Sequence, residues 1–317
     1  MDGFNGSFST GITFAKTPKF NNSFNGNYRK GKFNIFATLG NNIGDYQNGG
    51  DIFVDQDQSK QNLKIKSSNR SEFFKIGTDF YINDKNTLSV YTNQAFGNND
   101  FNINNMLYFP NTAQNYFQND EYDSKNKDSV YNLAYKKLFK KEGETLDFEA
   151  TYNNSKGDQN SYFYPNGINT NQHDVTDAKD NSSVINLDYV NPLSEKSKLE
   201  LGAEARITRT DNDYATNRAG IENAGFTYDF DIYSAYATFG QKFTKFSYQL
   251  GARVESYQVK ANYTTTTQTG KFENDYITVY PSAYLNYSLN EKNIFNLSLS
   301  RRVDRPSIQQ TKPIPSF

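Results

Sequence analysis

The sequence has no cysteine, no tryptophan and a single histidine. Without cysteine the chain can form no disulfide and offers no thiolate to a metal or a substrate. Its charges nearly cancel, with 34 Lys and Arg against 35 Asp and Glu, so it lacks the basic excess of a nucleic-acid-binding domain. We therefore expect no thiol chemistry and no nucleic-acid partner.

Long apolar runs are also missing. No segment approaches the roughly 18 apolar residues of a membrane-spanning helix, and the opening "MDGFNGSFST" lacks the basic and apolar regions of a signal peptide. Only 35% of residues are hydrophobic and the mean hydropathy is -0.84, yet 16% are aromatic. Disordered chains are usually poor in aromatics. The composition therefore favours a fold that needs a single apolar face.

Apolar and polar residues alternate along almost the whole chain. In "LELGAEARIT" (199–208) and "FSYQLGARVE" (246–255), every second residue is apolar or small and most of the others are polar or charged. A period of two indicates a β-strand, because successive side chains point to opposite faces. We predict about thirteen antiparallel strands and no helix. The predicted strands are 4–15, 18–30, 31–44, 67–83, 86–98, 127–140, 144–157, 181–193, 197–211, 228–243, 245–258, 275–290 and 292–303.

The connections between these strands alternate in length. One turn occurs twice, as "INDKN" (82–86) and "LNEKN" (289–293), and its Asn and Asp residues are typical of tight hairpins. Other short turns fall at 30–31, 140–144, 192–197 and 243–245. Long polar loops are predicted at 45–66, 99–126, 158–180, 212–227 and 259–274.

Short turns at one end, long loops at the other and strands with one apolar face are typical of an outer-membrane β-barrel. The alternative is a soluble β-sandwich, but its strands are commonly about 5–6 residues long. We therefore predict an all-β fold, an antiparallel transmembrane β-barrel located in the cell outer membrane. Tyrosines near the predicted strand ends would form the aromatic girdle.

Charged residues on the polar faces of the strands are the main site candidates. Alternation places six of them on the face that would line the lumen: Glu204, Arg206, Arg253, Glu255, Arg302 and Asp304. In a complete barrel they could contact a domain inside it through charged hydrogen bonds. The alternative is a structural ladder of charges across neighbouring strands.

Few residues suggest chemistry. The only histidine, His173, precedes Asp174 in a predicted loop, where an acid-base pair is conceivable but a solvated histidine is favoured, because no nucleophile accompanies it. The stretches "DQDQSK" (55–60) and "DNDY" (211–214) lack the Gly and Glu of a calcium-binding EF-hand loop. We predict no enzyme activity, no metal and no cofactor.

The C-terminal segment "YPSAYLNYSLNEKNIFNLSLSRRVDRPSIQQTKPIP" (280–315) resembles the barrel of TonB-dependent receptors of the Bacteroidetes type. In that family a strand "FPS-x-x-x-x-Y-x-L" turns through "N-x-x-N" into "L-x-L-S-Y-S-R-R-I-x-R-P". Val303 stands here where Ile is usual, and Leu299 where an aromatic is common. The matching residues are Pro281, Ser282, Tyr287, Leu289, Asn290, Asn293, Leu297, Ser298, Ser300, Arg301, Arg302, Arg305 and Pro306.

The start of the chain, "GSFSTGITF" and "NGNYRKGKFNIFATLG", is similar to the first barrel strands of the same family. The resemblance implies active import of a siderophore, glycan or peptide, driven by the TonB complex through a plug inside a barrel of about 22 strands. The partners implied are outer-membrane lipid, the TonB complex and a surface lipoprotein.

No plug domain and no TonB box are present in residues 1–317, so the resemblance predicts a partial barrel domain over the whole chain. A non-transporting surface barrel, acting as an adhesin or scaffold, is the alternative that the residues leave open. The ending "TKPIPSF" is not expected to form a strand, because each proline removes a donor from the ladder.

Overall fold

The computed structural model describes residues 2–54, 56, 58–110 and 114–305. The C-terminal segment "TKPIPSF" and the residues Asp55 and Asp57 lie outside these ranges. The described chain is built of antiparallel β-strands. Their bounds are β1 Gly3–Thr13, β2 Lys19–Lys30, β3 Phe33–Val54, β4 Ser59–Asn83, β5 Asn86–Phe109, β6 Gln114–Leu138, β7 Thr145–Pro165, β8 Gln172–Ser194, β9 Ser197–Thr216, β10 Ala224–Lys242, β11 Phe246–Thr265, β12 Thr269–Asn290 and β13 Asn293–Ser300.

The thirteen strands form one sheet in which each strand pairs with its neighbours in sequence, from β1 to β13. This confirms the predicted antiparallel all-β fold and its strand number. Within the described residues β1 pairs only with β2, and β13 only with β12, so the sheet is not closed. No helix long and apolar enough to cross a membrane occurs in the part of the chain that the structure describes.

The predicted long loops are much shorter in the structure. The segments around 45–66, 99–126 and 158–180 mostly continue the flanking strands, which run to 25 residues in β4 and β6. Paired backbone extends to Val54 and Ser59 in one hairpin, and to Phe109 and Gln114 in the next. Apolar alternation ends partway along these strands, but backbone pairing continues, because a hairpin ladder needs no apolar face.

Each long strand therefore has two parts. In β11 the outward side chains are apolar from Phe246 to Val254 and polar from Ser256 to Lys260. The apolar part is nine residues by these numbers, in keeping with the roughly 9–11 residues of a tilted transmembrane strand. The polar part projects beyond it, and we call it the distal extension.

The short turns lie at the opposite end and use side chains to close the backbone. The Asn83 side-chain oxygen accepts hydrogen bonds from the Lys85 N–H at 3.0 Å and the Asn86 amide at 2.7 Å. In the repeated turn, Asn290 accepts from the Lys292 N–H at 3.0 Å and from the Asn293 amide at 3.0 Å. The repeated sequence thus forms the same turn twice, as predicted.

The register is uninterrupted along the strands and shifts only beside short turns, at Tyr81/Asn83, Pro192/Ser194 and Ser288/Asn290 within the described residues. In the turn after β2, Gly31 has a positive φ of 56°. That left-handed backbone suits glycine, which has no Cβ to clash.

Direct cross-strand pairs place residues on the same face of the sheet. The face that carries Glu204, Ser234 and Glu255, which lie side by side on β9, β10 and β11, is called the inner face. The buried apolar side chains of the described chain all lie on it: Tyr214, Phe226, Tyr228, Ile232, Tyr257 and Val259. The outer face instead exposes its apolar residues, with Leu250 53% and Leu201 40% accessible.

Candidate functional site: a charged cluster on the inner face

Four charged side chains meet on the inner face of β9 and β11. Arg253 donates from Nη2 to Glu204 Oε1 at 3.0 Å and from Nε to Glu255 Oε1 at 2.7 Å. Arg305, which follows β13, donates from Nη2 to the other oxygen of Glu255 at 2.8 Å. We call Glu204, Arg253, Glu255 and Arg305 the inner cluster.

Register explains how the inner cluster forms. Glu204 and Glu255 flank Ser234 of β10 directly, and Arg253 lies two residues from Glu255 on the same face of β11. Tyr280 of β12 faces Arg253 directly. A side chain as long as arginine can therefore reach across one intervening strand.

The cluster is largely shielded from water. The side chain of Glu255 is 10% exposed and that of Glu204 15%, against 22% for Arg305. Aromatic rings cover the arginines, with the Arg305 guanidinium 4.7 Å from the Tyr257 ring centre and that of Arg253 5.5 Å from the Tyr236 ring centre. Shielded charges of this kind are stable only when they are paired and hydrogen-bonded.

Arg206 extends the cluster toward solvent. Its Nη2 lies 3.4 Å from Glu204 Oε1, and its side chain is 46% exposed. A guanidinium carries five N–H donors, so among the described residues Arg206 keeps donors available for a group outside the sheet.

The six sequence candidates divide into two groups. Glu204, Arg206, Arg253 and Glu255 come together as one network. Arg302 and Asp304 lie after the end of β13 and are exposed, and within the described residues neither contacts this network.

Sequence reasoning did not select Arg305. Alternation places it on the face opposite Arg302, but alternation stops at Ser300, where β13 ends. Beyond that point the chain is irregular, and Arg305 reaches the inner face. The sequence feature that could have identified Arg305 as a site residue is its position in "RRVDRP", at the end of the motif that resembles the receptor family.

The family profile of the outer membrane protein beta-barrel family matches residues 137–317, more than half of the chain. The chain belongs to this barrel family. Its location is accordingly the outer membrane, and the inner face is the side of the sheet that faces the interior of the barrel.

The chain is structurally similar to solved outer-membrane barrels. The siderophore receptor PiuA from Acinetobacter baumannii is 14% identical with a TM-score of 0.55, and the alignment covers 91% of this chain and 47% of that one. The ferric yersiniabactin uptake receptor FyuA from Yersinia pestis is 6% identical with a TM-score of 0.47, covering 90% and 58%. The protease OmpT from Escherichia coli is 11% identical with a TM-score of 0.32, covering 81% and 96%.

The chain thus spans about half the length of PiuA. No curated protein has a significantly similar sequence.

His173 lies in strand β8 of the barrel sheet, not in a loop as predicted. Its ring stacks on Tyr162 of β7, with centres 4.5 Å apart, and its Nε2 is 3.2 Å from Asn160 Oδ1. Asp174 points to the other face, since neighbouring residues of a strand alternate. The two residues therefore do not form an acid-base pair.

Asp174 instead holds a turn of the barrel's distal extension. It is 3% exposed and accepts hydrogen bonds from the Tyr214 hydroxyl at 2.9 Å, the Thr216 hydroxyl at 2.5 Å and Arg218 Nε at 2.9 Å. The hydrogen bond to Asp174 is the largest cause of the raised pKa of Arg218. The sequence points to Asp174 only as a neighbour of His173, because nothing in it signals that Arg218 folds back onto the carboxylate.

The acidic stretch 211–214, which lies within the described residues, does not assemble a metal centre. Asp211 and Asp213 share the outer face of β9, whereas Asn212 and Tyr214 point inward. Within the residues that the structure describes, no group of three or more His, Cys, Asp and Glu side chains is placed to hold a metal ion.

Proposed function

We propose that the sheet is part of the barrel of a TonB-dependent receptor that imports a nutrient across the outer membrane. The observation that carries the proposal is the position of Arg305. This arginine closes the "RRVDRP" segment that resembles the receptor family, and it is tied through Glu255 to Arg253 and Glu204 on the inner face.

In such a receptor the inner face surrounds a plug domain. The inner cluster fixes the orientation of the arginines, and Arg206 offers free donors toward the interior. A carboxylate or backbone carbonyl of a plug would be a suitable acceptor for them. The fold shared with the siderophore receptor PiuA is compatible with this role.

The proposed partners are outer-membrane lipid, a TonB complex acting through the plug and a surface lipoprotein that delivers substrate. The substrate classes proposed are siderophores, glycans and peptides. The absence of enzyme activity and of a cofactor remains a prediction from the sequence.

The proposal is tested by replacing Arg206 and Arg302 with Gln in the native full-length protein. Import should fall and permeability to large antibiotics should rise, because the plug loses hydrogen bonds that hold it in the barrel. Import is measured with labelled siderophores, glycans and peptides in cells, with and without a protonophore. Replacing Lys196 and Lys198 with Gln, at the short-turn end of β9, removes the same charge and is the control.

Unchanged import and unchanged permeability in the double variant would rule out the plug-contact role.

The mass of the native product, measured in outer-membrane fractions, tests the receptor assignment itself. A product of more than twice 36.2 kDa that contains a plug supports it, and a mature product of about 36.2 kDa overturns it.

A second candidate is a surface barrel that acts as an adhesin or scaffold. The distal extensions favour it, since they expose aromatic side chains such as Tyr108, Tyr116 and Tyr162 well beyond the apolar band. For this candidate, deletion of the gene should reduce surface attachment, and a protonophore should leave the protein's activity unchanged.

A further inference from the structure

Three lysines form a row on the outer face of the sheet. Lys127 of β6 faces Lys156 of β7 directly, and Lys156 faces Lys179 of β8 directly. All three are exposed, and no ion pair between them and a carboxylate is present among the described residues. We call Lys127, Lys156 and Lys179 the lysine row.

The lysine row lies at a defined depth. Along β7 the outward residues are Phe148, Ala150 and Tyr152, then Asn154, then Lys156. Tyr152 stacks on Tyr131 of β6 with ring centres 6.3 Å apart, at the edge of the apolar band. Aromatic rings in this position mark the lipid interface.

Lys156 lies four positions beyond Tyr152, about 14 Å along the strand at roughly 3.4 Å per residue. With a strand tilt of about 45°, the lysines stand about 10 Å above the tyrosines along the membrane normal. Their long side chains can bend toward the membrane and place ammonium groups at headgroup depth.

Direct cross-strand neighbours of like charge destabilise a sheet. Two such contacts occur in succession here, Lys127 with Lys156 and Lys156 with Lys179. An anion shared between the ammonium groups would relieve both repulsions. Among the described residues, one cation–π contact involves the row, with the Phe96 ring centre 5.6 Å from Lys127 Nζ.

Carboxylates lie on the far side of the row. Lys179 faces Asp211 at the end of the row, and the next outward residues away from the membrane are Asp158, Asp177 and Asp213, which face one another in turn. The positive charge is therefore nearer to the membrane than most of the negative charge. This order favours an anion located below the row, in the lipid headgroups.

We propose that the lysine row binds the phosphate groups of anionic lipid in the outer leaflet of the outer membrane. The row is on the extracellular side, because the distal extensions are at the end of the barrel opposite the short turns. Multiply phosphorylated lipid matches it best, because one headgroup then spans two or three ammonium groups. The proposal depends on the membrane location and is independent of import.

The test uses the native full-length protein purified in an uncharged detergent, with bisphosphorylated lipid A as probe and its dephosphorylated form as comparison. Binding is followed by native mass spectrometry. Replacing all three lysines of the row with Gln should weaken binding of the phosphorylated probe by at least about tenfold. Replacing Lys60, Lys64 and Lys66 with Gln removes the same charge from the outer face of β4, farther from the membrane, and should leave binding unchanged.

A second measurement guards against a misfolded variant. Without lipid, the row variant should melt at a higher temperature than the unaltered protein, because its like-charge contacts are gone. With the phosphorylated probe present, the order should reverse. This crossing of melting temperatures is expected only if the lysines share an anion.

Equal binding by the row variant would overturn the proposal, and so would equal binding of the dephosphorylated probe. Equal loss in the Lys60, Lys64 and Lys66 variant would show a general charge effect and would also overturn it. If inorganic phosphate at the same concentration displaced the probe completely, the ligand would be free phosphate and the lipid assignment would fail.

Discussion

At the scale of residues, the inner cluster shows how a charged group is kept on a shielded face. Glu255 has a partner at each carboxylate oxygen, Arg253 at one and Arg305 at the other. Alternation alone predicted the face of Glu255 and Arg253. It could not predict Arg305, because no periodic rule applies after the strand ends at Ser300.

Replacing Glu255 with Gln should lower the free energy of unfolding of the full-length protein by about 2 kcal/mol, since charge-assisted hydrogen bonds are lost and two arginines lose their anion. Urea unfolding in micelles measures this difference. Glu200→Gln, which breaks a more exposed pair with Lys198 at 2.6 Å, is the control and should cost less than about 1 kcal/mol. Equal losses in the two variants would show that the cluster has no special stabilising role.

At the scale of elements, the sequence predicted the strand ends at the short turns within a few residues, for example 83 and 86 as observed for β4 and β5. It failed at the distal ends, where β8 begins at Gln172 and not at 181. Polar residues such as those in "NTNQHDVTDAKDNSS" read as a loop, because both faces of a distal hairpin meet water and the apolar signal disappears.

The turn between β9 and β10 provides a test of the distal architecture. Asp174→Asn should release Arg218 from its ion pair, whose shortest N–O distance is 2.5 Å, and expose the turn to trypsin. We expect cleavage after Arg218 to become at least several-fold faster in intact cells, because local opening controls such cleavage.

Peptide mapping by mass spectrometry identifies the cleavage site. Asp177→Asn changes an exposed residue on the opposite face of the same strand and should leave the rate unaltered. Cleavage only in broken cells would place the turn on the periplasmic side, against the orientation described above.

At the scale of the whole molecule, the open edges matter most. Within the described residues, β1 and β13 each have one paired neighbour, so each presents a row of backbone N–H and C=O groups to its other side. In lipid every unsatisfied group costs several kcal/mol, and a spanning sheet must therefore be closed.

We expect the 317-residue chain on its own to be unable to insert as a monomer into liposomes. The measurement is heat modifiability on gels, in which a folded barrel migrates differently before and after boiling. The native full-length protein, refolded in parallel, is the positive control. A heat-modifiable monomer of the isolated chain would show that the two edges can satisfy each other.

The repeated turn also bears on how such a sheet could have arisen. Both copies close through one asparagine side chain, and each joins strands that pair only with their sequence neighbours. The turn and the strand pairing of such a hairpin depend on its own residues. Its gene segment can therefore be duplicated without changing the register of the remaining strands. Copying such a hairpin would give barrels of different circumference with every inner side chain unchanged.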